Sequence, residues 1–223
     1  KLESKLKLIE LAVALSYSAK VNYNDVFSQT RTWDAIIYHY LTARKIVIPP
    51  KKLGKKHKQY AGAYVKDPIV GMHDWVVSFD LNSLYPHLIM QYNISPETII
   101  SEGYSSARNF VSVDDILHTE TNDYIEEAKS KDVCIAANGV CFTKGFQGFL
   151  PELMEKMYAE RRMFKKKLID CQKKKEQDPE NVELDFEISK YHNFQLVRKI
   201  QLNSAYGALG NQYFRYYSTD MAE

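Results

Sequence analysis

"VVSFDLNSLYPHLIMQYN", residues 76–93, decides the reading of this chain. Val76 to Asp80 alternates toward a carboxylate at the end of a β-branched, aromatic run, a pattern that predicts a strand ending at Asp80. A turn follows, and Pro86 stands where a helix would begin. A strand that ends in Asp puts an acidic ligand at the mouth of a sheet. Amides of the following turn and helix start can hold an anion there, with Tyr85 beside it. The combination suits a metal-bound nucleotide triphosphate. "SFD" alone has no such force, because strand-end aspartates commonly form turns or caps.

Upstream, residues 2–20 place Leu2, Leu6, Ile9, Val13 and Tyr17 at helical spacing, which predicts an amphipathic helix. "RTWDAIIYHYLTARK" reads as a second helix, ended by Pro49-Pro50. From Arg44 to Lys66 there are eight Lys or Arg and no carboxylate. Such a run is either a solvated loop or a contact for a phosphate backbone. "QYAGAYVKDP" follows, with a glycine that permits close backbone approach.

Downstream, "DVCIAANGVCFTKGFQGF" predicts a hairpin around Asn138-Gly139. Pro151 suits the first turn of a helix that carries Leu153, Met157, Phe164, Leu168 and Cys171 on one stripe. "KKKEQDPEN" breaks it, and a second helix is expected from about Val182 to Tyr206, ended by Gly207 and Gly210. Two long helices with a short polar turn predict an antiparallel pair. Arg161 and Lys165 share a face of the first, and Lys199, Asn203 and Tyr206 share a face of the second. Three cations meeting between these faces suit a triphosphate, Arg as a fork and Lys as a point charge.

The 223 residues allow one domain or two small ones, and the net charge is only +2. No apolar run reaches membrane-spanning length, and no signal peptide opens the chain. Cys134, Cys141 and Cys171 form no CxxC pair and read as reduced thiols of a cytoplasmic protein. The histidines show no HExxH, and the absence of GxxxxGK[ST] leaves a P-loop ATPase unsupported. Asp114-Asp115 suits a helix start better than a metal pair.

The stretch around Asp80 resembles the DxxSLYPS motif of family B DNA polymerases, including T-even-type phage replicative enzymes. "RKIQLNSAYGALGN" resembles their KxxxNSxYG motif, "GFLPELMEKMYAERRMFKKKL" their fingers-helix signature, and "YAGAYV" their YxGG/A motif. "FSQTRTWDAIIYHYL" is similar to the end of the phage proofreading domain. The motifs stand in family order over nearly the whole chain. His87 replaces the usual serine, and Ala205 a common leucine.

The resemblance implies an α+β fold. Residues 1–45 would be a helical tail of the exonuclease domain. Residues 46–149 would hold a linker and the first part of a palm with a mixed sheet, 150–206 a projecting fingers hairpin, and 207–223 a return to the palm. It implies template-directed nucleotidyl transfer, with primer–template DNA and dNTP as partners. The remainder of a split polymerase or a sliding clamp would engage parts outside this chain. The setting would be the cytoplasm of a bacterial or phage-infected host.

Asp80 and Lys199 would be catalytic. Asp80 and the Leu81 carbonyl would bind Mg²⁺, two ions roughly 3.5–4 Å apart in this chemistry. Amides of Ser83, Leu84 and Tyr85 would hold phosphates, and Tyr85 would also exclude a 2′-hydroxyl. Arg161, Lys165 and Lys199 would grip the triphosphate, and Asn203 and Tyr206 would line the base-pair pocket. Lys51, Lys52, Lys55 and Lys56, with Tyr60, Gly62 and Ala63, would touch DNA. The family's second metal carboxylate, in a later DTD motif, would fall after Glu223. The alternative is a non-catalytic nucleotide- and DNA-binding fragment that needs a partner to supply that carboxylate.

Overall fold

A computed structural model describes residues 3, 7–51, 65–100, 126, 129–136 and 138–223. In chain order these form α1 (Leu8–Ala19), a 3₁₀ turn (Tyr23–Phe27), α2 (Gln29–Ala43), α3 (Leu84–Gln91) and β1 (Ile99–Ile100). Then come β2 (Val133–Ile135), β3 (Cys141–Thr143), α4 (Phe149–Gln177), α5 (Val182–Leu209) and α6 (Thr219–Ala222).

The long helices follow their local chemistry. Gly148 precedes α4, Pro151 lies in its first turn, and Lys174 and Lys175 complement its last turn. Asn181 caps α5 by accepting from the amides of Glu183 and Leu184, and Glu183 and Asp185 suit the positive end of the helix dipole. Their cross-contacts run in reverse order, so the pair is antiparallel. Lys175 reaches Asp185 at 2.8 Å, the Cys171 thiol meets Glu187, Phe164 lies against Phe194, and Glu160 pairs with Arg198 at 2.6 Å. Burial and the Glu187 contact push the Cys171 thiol up, so it stays protonated. Helix α5 runs through Gly207 to Leu209 and is capped at Gly210, the second of the two glycines expected to end it. Its buried neighbours Ala205, Ala208 and Leu209 hold that last turn in the core.

The main core joins Trp33, Ile37 and Leu41 of α2, Ile89 of α3, Phe142 of β3, Leu150 to Met157 of α4, and Leu202 to Leu209 of α5. Helix α1 departs from its expected orientation. Ile9, Val13 and Tyr17 are exposed, while Ala12 and Ala19 are buried. Leu2 and Leu6 lie outside the described residues. The small face of α1 lets the helix approach α5, where Ser18 accepts from Arg198 at 2.6 Å.

The sheet is also different from the expected mixed one. Its described strands run in the order β1–β3–β2, both pairings antiparallel, with Ile99 opposite Phe142 and Cys134 opposite Phe142 on the other side. The hairpin β2–β3 turns at Asn138-Gly139 as expected, with Gly139 at φ +79° and its amide bonded to the Ala136 carbonyl at 2.8 Å. The strand expected at Val76–Asp80 is absent. Val76, Val77 and Phe79 are exposed, and the segment makes no backbone hydrogen bond among the described residues. Alternation specifies two faces but cannot supply the neighbouring strand that makes a ladder.

One buried side chain fixes where α4 begins. Asn93, at φ +55°, donates to the carbonyls of Thr143 and Phe146 at 2.6 and 2.8 Å and accepts from the Gly148 amide at 2.9 Å. A side chain on Gly148 would meet the Ser95 Cβ at 2.5 Å, so glycine is required there. Asn93→Ala leaves buried backbone groups unsatisfied and should cost about 2–4 kcal/mol of unfolding free energy. Urea titration of both proteins measures this. A loss no larger than that of an exposed substitution would show that water replaces the asparagine.

Candidate nucleotide-binding site

Helix α3 begins at Ser83, which caps it in the left-handed conformation (φ +54°). The first turn leaves the amides of Leu84 and Tyr85 without intrahelical acceptors, and Pro86 has no N–H to leave. Position along the helix is held by His87, whose ring stands edge-on to Tyr158 of α4 at 4.8 Å. The short helix therefore packs against α4 on one side and α5 on the other.

On the α4 side, Arg161 Nη1 donates to Ser83 Oγ at 3.2 Å. Arg161 Nε is buried without a hydrogen-bond partner among the described residues, a donor that a ligand oxygen can satisfy. Asn82, Ser83, Arg161 and Lys165 line one cleft of 520 Å³. Arg162, Lys166 and Lys173 line it too, so it carries five cations against the single carboxylate of Asp170. Sequence reasoning missed these three. Their signal was the spacing of Arg162, Lys166 and Lys173 at four and seven residues, which keeps them on one helical face.

On the α5 side, Tyr85 and Tyr206 stack at 4.4 Å with planes 10° apart. Both rings also wall an apolar cavity of 340 Å³ reaching Phe142, Leu209 and Met221. Lys199 and Asn203 lie on the exposed side of α5 and do not line the cationic cleft. Asp80 and Leu81 lie in the exposed segment leading to α3, outside that cleft's lining. Lys51 is exposed at the end of its segment. Lys52, Lys55, Lys56, Tyr60, Gly62, Ala63 and the Asp114-Asp115 pair lie outside the described residues.

The acidic donors are sparse. Among the described residues no group of three or more His, Cys, Asp or Glu is placed to hold a metal ion. Asp80 on an unpaired segment can offer one carboxylate, which does not make a two-metal site. The same described residues contain no helix long and apolar enough to cross a membrane.

A family model described as DNA polymerase family B matches residues 25–223. The chain belongs to that family. A DNA-directed DNA polymerase of Escherichia phage RB69 is 33% identical over 97% of this chain and 27% of its own length. The corresponding enzyme of Enterobacteria phage T4 is 32% identical over 94% of this chain and 26% of its own. A DNA polymerase of Pyrococcus glycovorans is 34% identical over 74% of this chain. This family B chain thus spans about a quarter of the phage relatives. Its fold is similar to the family B DNA polymerase of Pyrobaculum calidifontis, with a TM-score of 0.67, 22% identity, and coverage of the whole chain and 25% of that polymerase.

The tyrosine stack of this family B chain is open to measurement. A double-mutant cycle of Tyr85→Ala and Tyr206→Ala should give a coupling of about 0.5–1.5 kcal/mol in chemical denaturation. Additive losses would show that the rings are adjacent without interacting.

Proposed function

We propose that this chain forms the incoming-nucleotide site of a DNA-directed DNA polymerase that extends a primer on a template. One observation carries the reading. The Arg161 guanidinium meets Ser83 at the start of α3, with Lys165 lining the same cleft, so several cations gather beside the residue that caps a helix N-terminus. The polymerase names of the family relatives support the reaction class.

In this reading α4 and α5 are the fingers, residues 1–45 the end of the exonuclease domain, and 46–149 with 207–223 parts of the palm. Arg161 forks across non-bridging oxygens of the triphosphate and Lys165 adds a point charge, while Lys199, outside the cleft, would act only from the exposed side of α5. Amides of Ser83, Leu84 and Tyr85 hold the β- and γ-phosphates. The Tyr85 ring leaves Tyr206 and lies under the sugar, where it crowds a 2′-hydroxyl, and Asn203 and Tyr206 bound the base pair. Asp80 and the Leu81 carbonyl are this chain's share of a Mg²⁺ site, an ion that supplies charge neutralisation at the reacting phosphate when bound. The basic segment from Arg44 to Lys66 tracks the DNA backbone.

The absence, among the described residues, of an acidic cluster around Asp80 favours a second reading of the same site. The chain then binds nucleotide and DNA but turns nothing over until another part of the polymerase supplies a second carboxylate.

Equilibrium dialysis of labelled dATP against the chain tests the site. Arg161→Ala with Lys165→Ala should weaken binding about ten-fold or more, the loss of charge-assisted hydrogen bonds. Equal affinity in both proteins would remove the triphosphate from this cleft. Tyr85→Ala should narrow the preference for dATP over ATP, and an unchanged ratio would show that Tyr85 does not read the sugar. The chain alone should not extend a primer with Mg²⁺ and dNTPs. Extension would refute the need for a second carboxylate.

A further inference from the structure

His87 is half-buried on α3 and takes no part in lining the cationic cleft. Both of its donors close on one acceptor. Its backbone amide meets the Ser83 carbonyl at 3.2 Å, and its ring Nδ1 lies 2.8 Å from the same oxygen. A carbonyl can only accept, so Nδ1 carries the proton. Tyr158 sets the ring from the α4 side, edge-on at 4.8 Å with planes 81° apart. Tyr158 and Ser83 do line the cleft, together with Arg161. His87 is thus one residue removed from the space where the cations gather.

Ser83 needs such support. It is a non-glycine residue at φ +54°, and it caps α3 with no side-chain cap hydrogen bond. Left-handed backbone is costly for a residue with a Cβ, and it persists only where the surroundings over-determine it. Leaving that conformation redirects the Cα–Cβ bond and takes Oγ away from Arg161 Nη1, which donates to it at 3.2 Å. Arg161 would then lose the contact that holds its fork, since its buried Nε has no partner among the described residues. A bond from the imidazole restrains Ser83 at its carbonyl rather than at its side chain. Oγ therefore stays available to the guanidinium.

We propose that His87 is a positioning residue for the triphosphate. Its Nδ1–H bond holds Ser83 in the left-handed conformation that aims Oγ at Arg161, and so sets the guanidinium before a nucleotide arrives. The inference rests on the nucleotide reading of the cleft and adds to it a residue that does not touch the ligand.

Two measurements on the whole chain test it. The first needs no ligand. ¹⁵N NMR of the imidazole nitrogens at alkaline pH, with the His87 signal assigned by its loss in His87→Phe, should show the Nδ1–H tautomer. An imidazole free in water favours Nε2–H, because the tautomer follows the hydrogen bond that the ring makes. The Nε2–H form at His87 overturns the proposal and leaves the triphosphate cleft standing. The second measurement is equilibrium dialysis of labelled dATP. His87→Phe keeps a ring against Tyr158 but cannot donate, and should weaken binding about three- to ten-fold, the net contribution of one hydrogen bond. His87→Ser loses the ring but can donate from its hydroxyl to the carbonyl four residues earlier, so it should bind dATP more tightly than His87→Phe. The reverse order would assign His87 to packing alone and overturn its role through Ser83. In a Ser83→Ala background His87→Phe should add no further loss, and additive losses overturn the role likewise. Melting curves check the fold, and the tautomer of the unsubstituted chain, its signal then assigned by selective labelling, decides the matter should the variants not fold. Equal dATP affinity in the chain and in His87→Phe removes His87 alone. No dATP binding by the unsubstituted chain removes the nucleotide reading, and this inference falls with it.

Discussion

Arg198 ties three helices together. Its guanidinium pairs with Glu160 of α4 at 2.6 Å, and it donates to Ser18 of α1 and to Gln201 of its own helix, each at 2.6 Å. Gln201 is fully buried and donates to the same Ser18 hydroxyl. A guanidinium this shielded depends on the Glu160 charge and on its two hydrogen bonds, so removing one partner costs more than an exposed ion pair returns. The network therefore admits one rotation of α5 about its axis. One turn on, Trp33 of α2 donates to Ser204 at 3.0 Å and fixes the same rotation from another side. Lys199 and Asn203 are left on the open side, and Tyr206 is carried to Tyr85.

The start of α3 is set with comparable redundancy. Tyr40 of α2 and Arg44 at its C-cap both donate to Glu152, and the Arg44 guanidinium lies over the Tyr40 ring at 3.7 Å, so the first turn of α4 is pinned to α2. Burial and the Glu152 carboxylate push the Tyr40 phenol up, which keeps it a donor. Asn93 locks the other flank. Ser83 itself is held on α4 by the Arg161 hydrogen bond and by the His87–Tyr158 contact one turn further along α3. The tyrosine stack is the soft element. At about 1 kcal/mol it would lower the affinity of a ligand that parts the rings by only about five-fold. A closed ring pair is thus compatible with a working nucleotide site.

Local chemistry was legible wherever the deciding contact was local. Asn138-Gly139 announced its turn because only a few residues tolerate that backbone, and Pro151 marked a helix start because the first turn needs no N–H there. The orientation of α1 was not legible. Its large residues spell an apolar stripe, but the face that packs is the small one, chosen by the shape and polarity of α5 through Arg198 and Gln201. The strand at Val76–Asp80 failed for a related reason, since a strand is a property of a pair. In the cleft, the family motif pointed to Arg161 and Lys165, whereas Arg162, Lys166 and Lys173 read as ordinary solvated charge in a lysine-rich run.

That unpaired segment limits what Asp80 can do by itself. Ordering the five residues from Val76 to Asp80 costs about 5–10 kcal/mol of backbone entropy when no ladder holds them. One carboxylate on one divalent ion cannot repay that, because the ion also surrenders water to a site with few other ligands. The exposed Phe79 and Val77 point to the remedy, since pairing this segment would bury apolar surface and fix the carboxylate together. If Asp80 holds a metal as proposed, metal affinity and strand pairing there would be one equilibrium. The cationic cleft is different, because Arg161 is already held on Ser83 before any ligand arrives. The two halves of the proposed nucleotide site would thus differ in readiness: the cationic cleft is already assembled by helix packing, and the segment that carries Asp80 has no paired strand among the described residues.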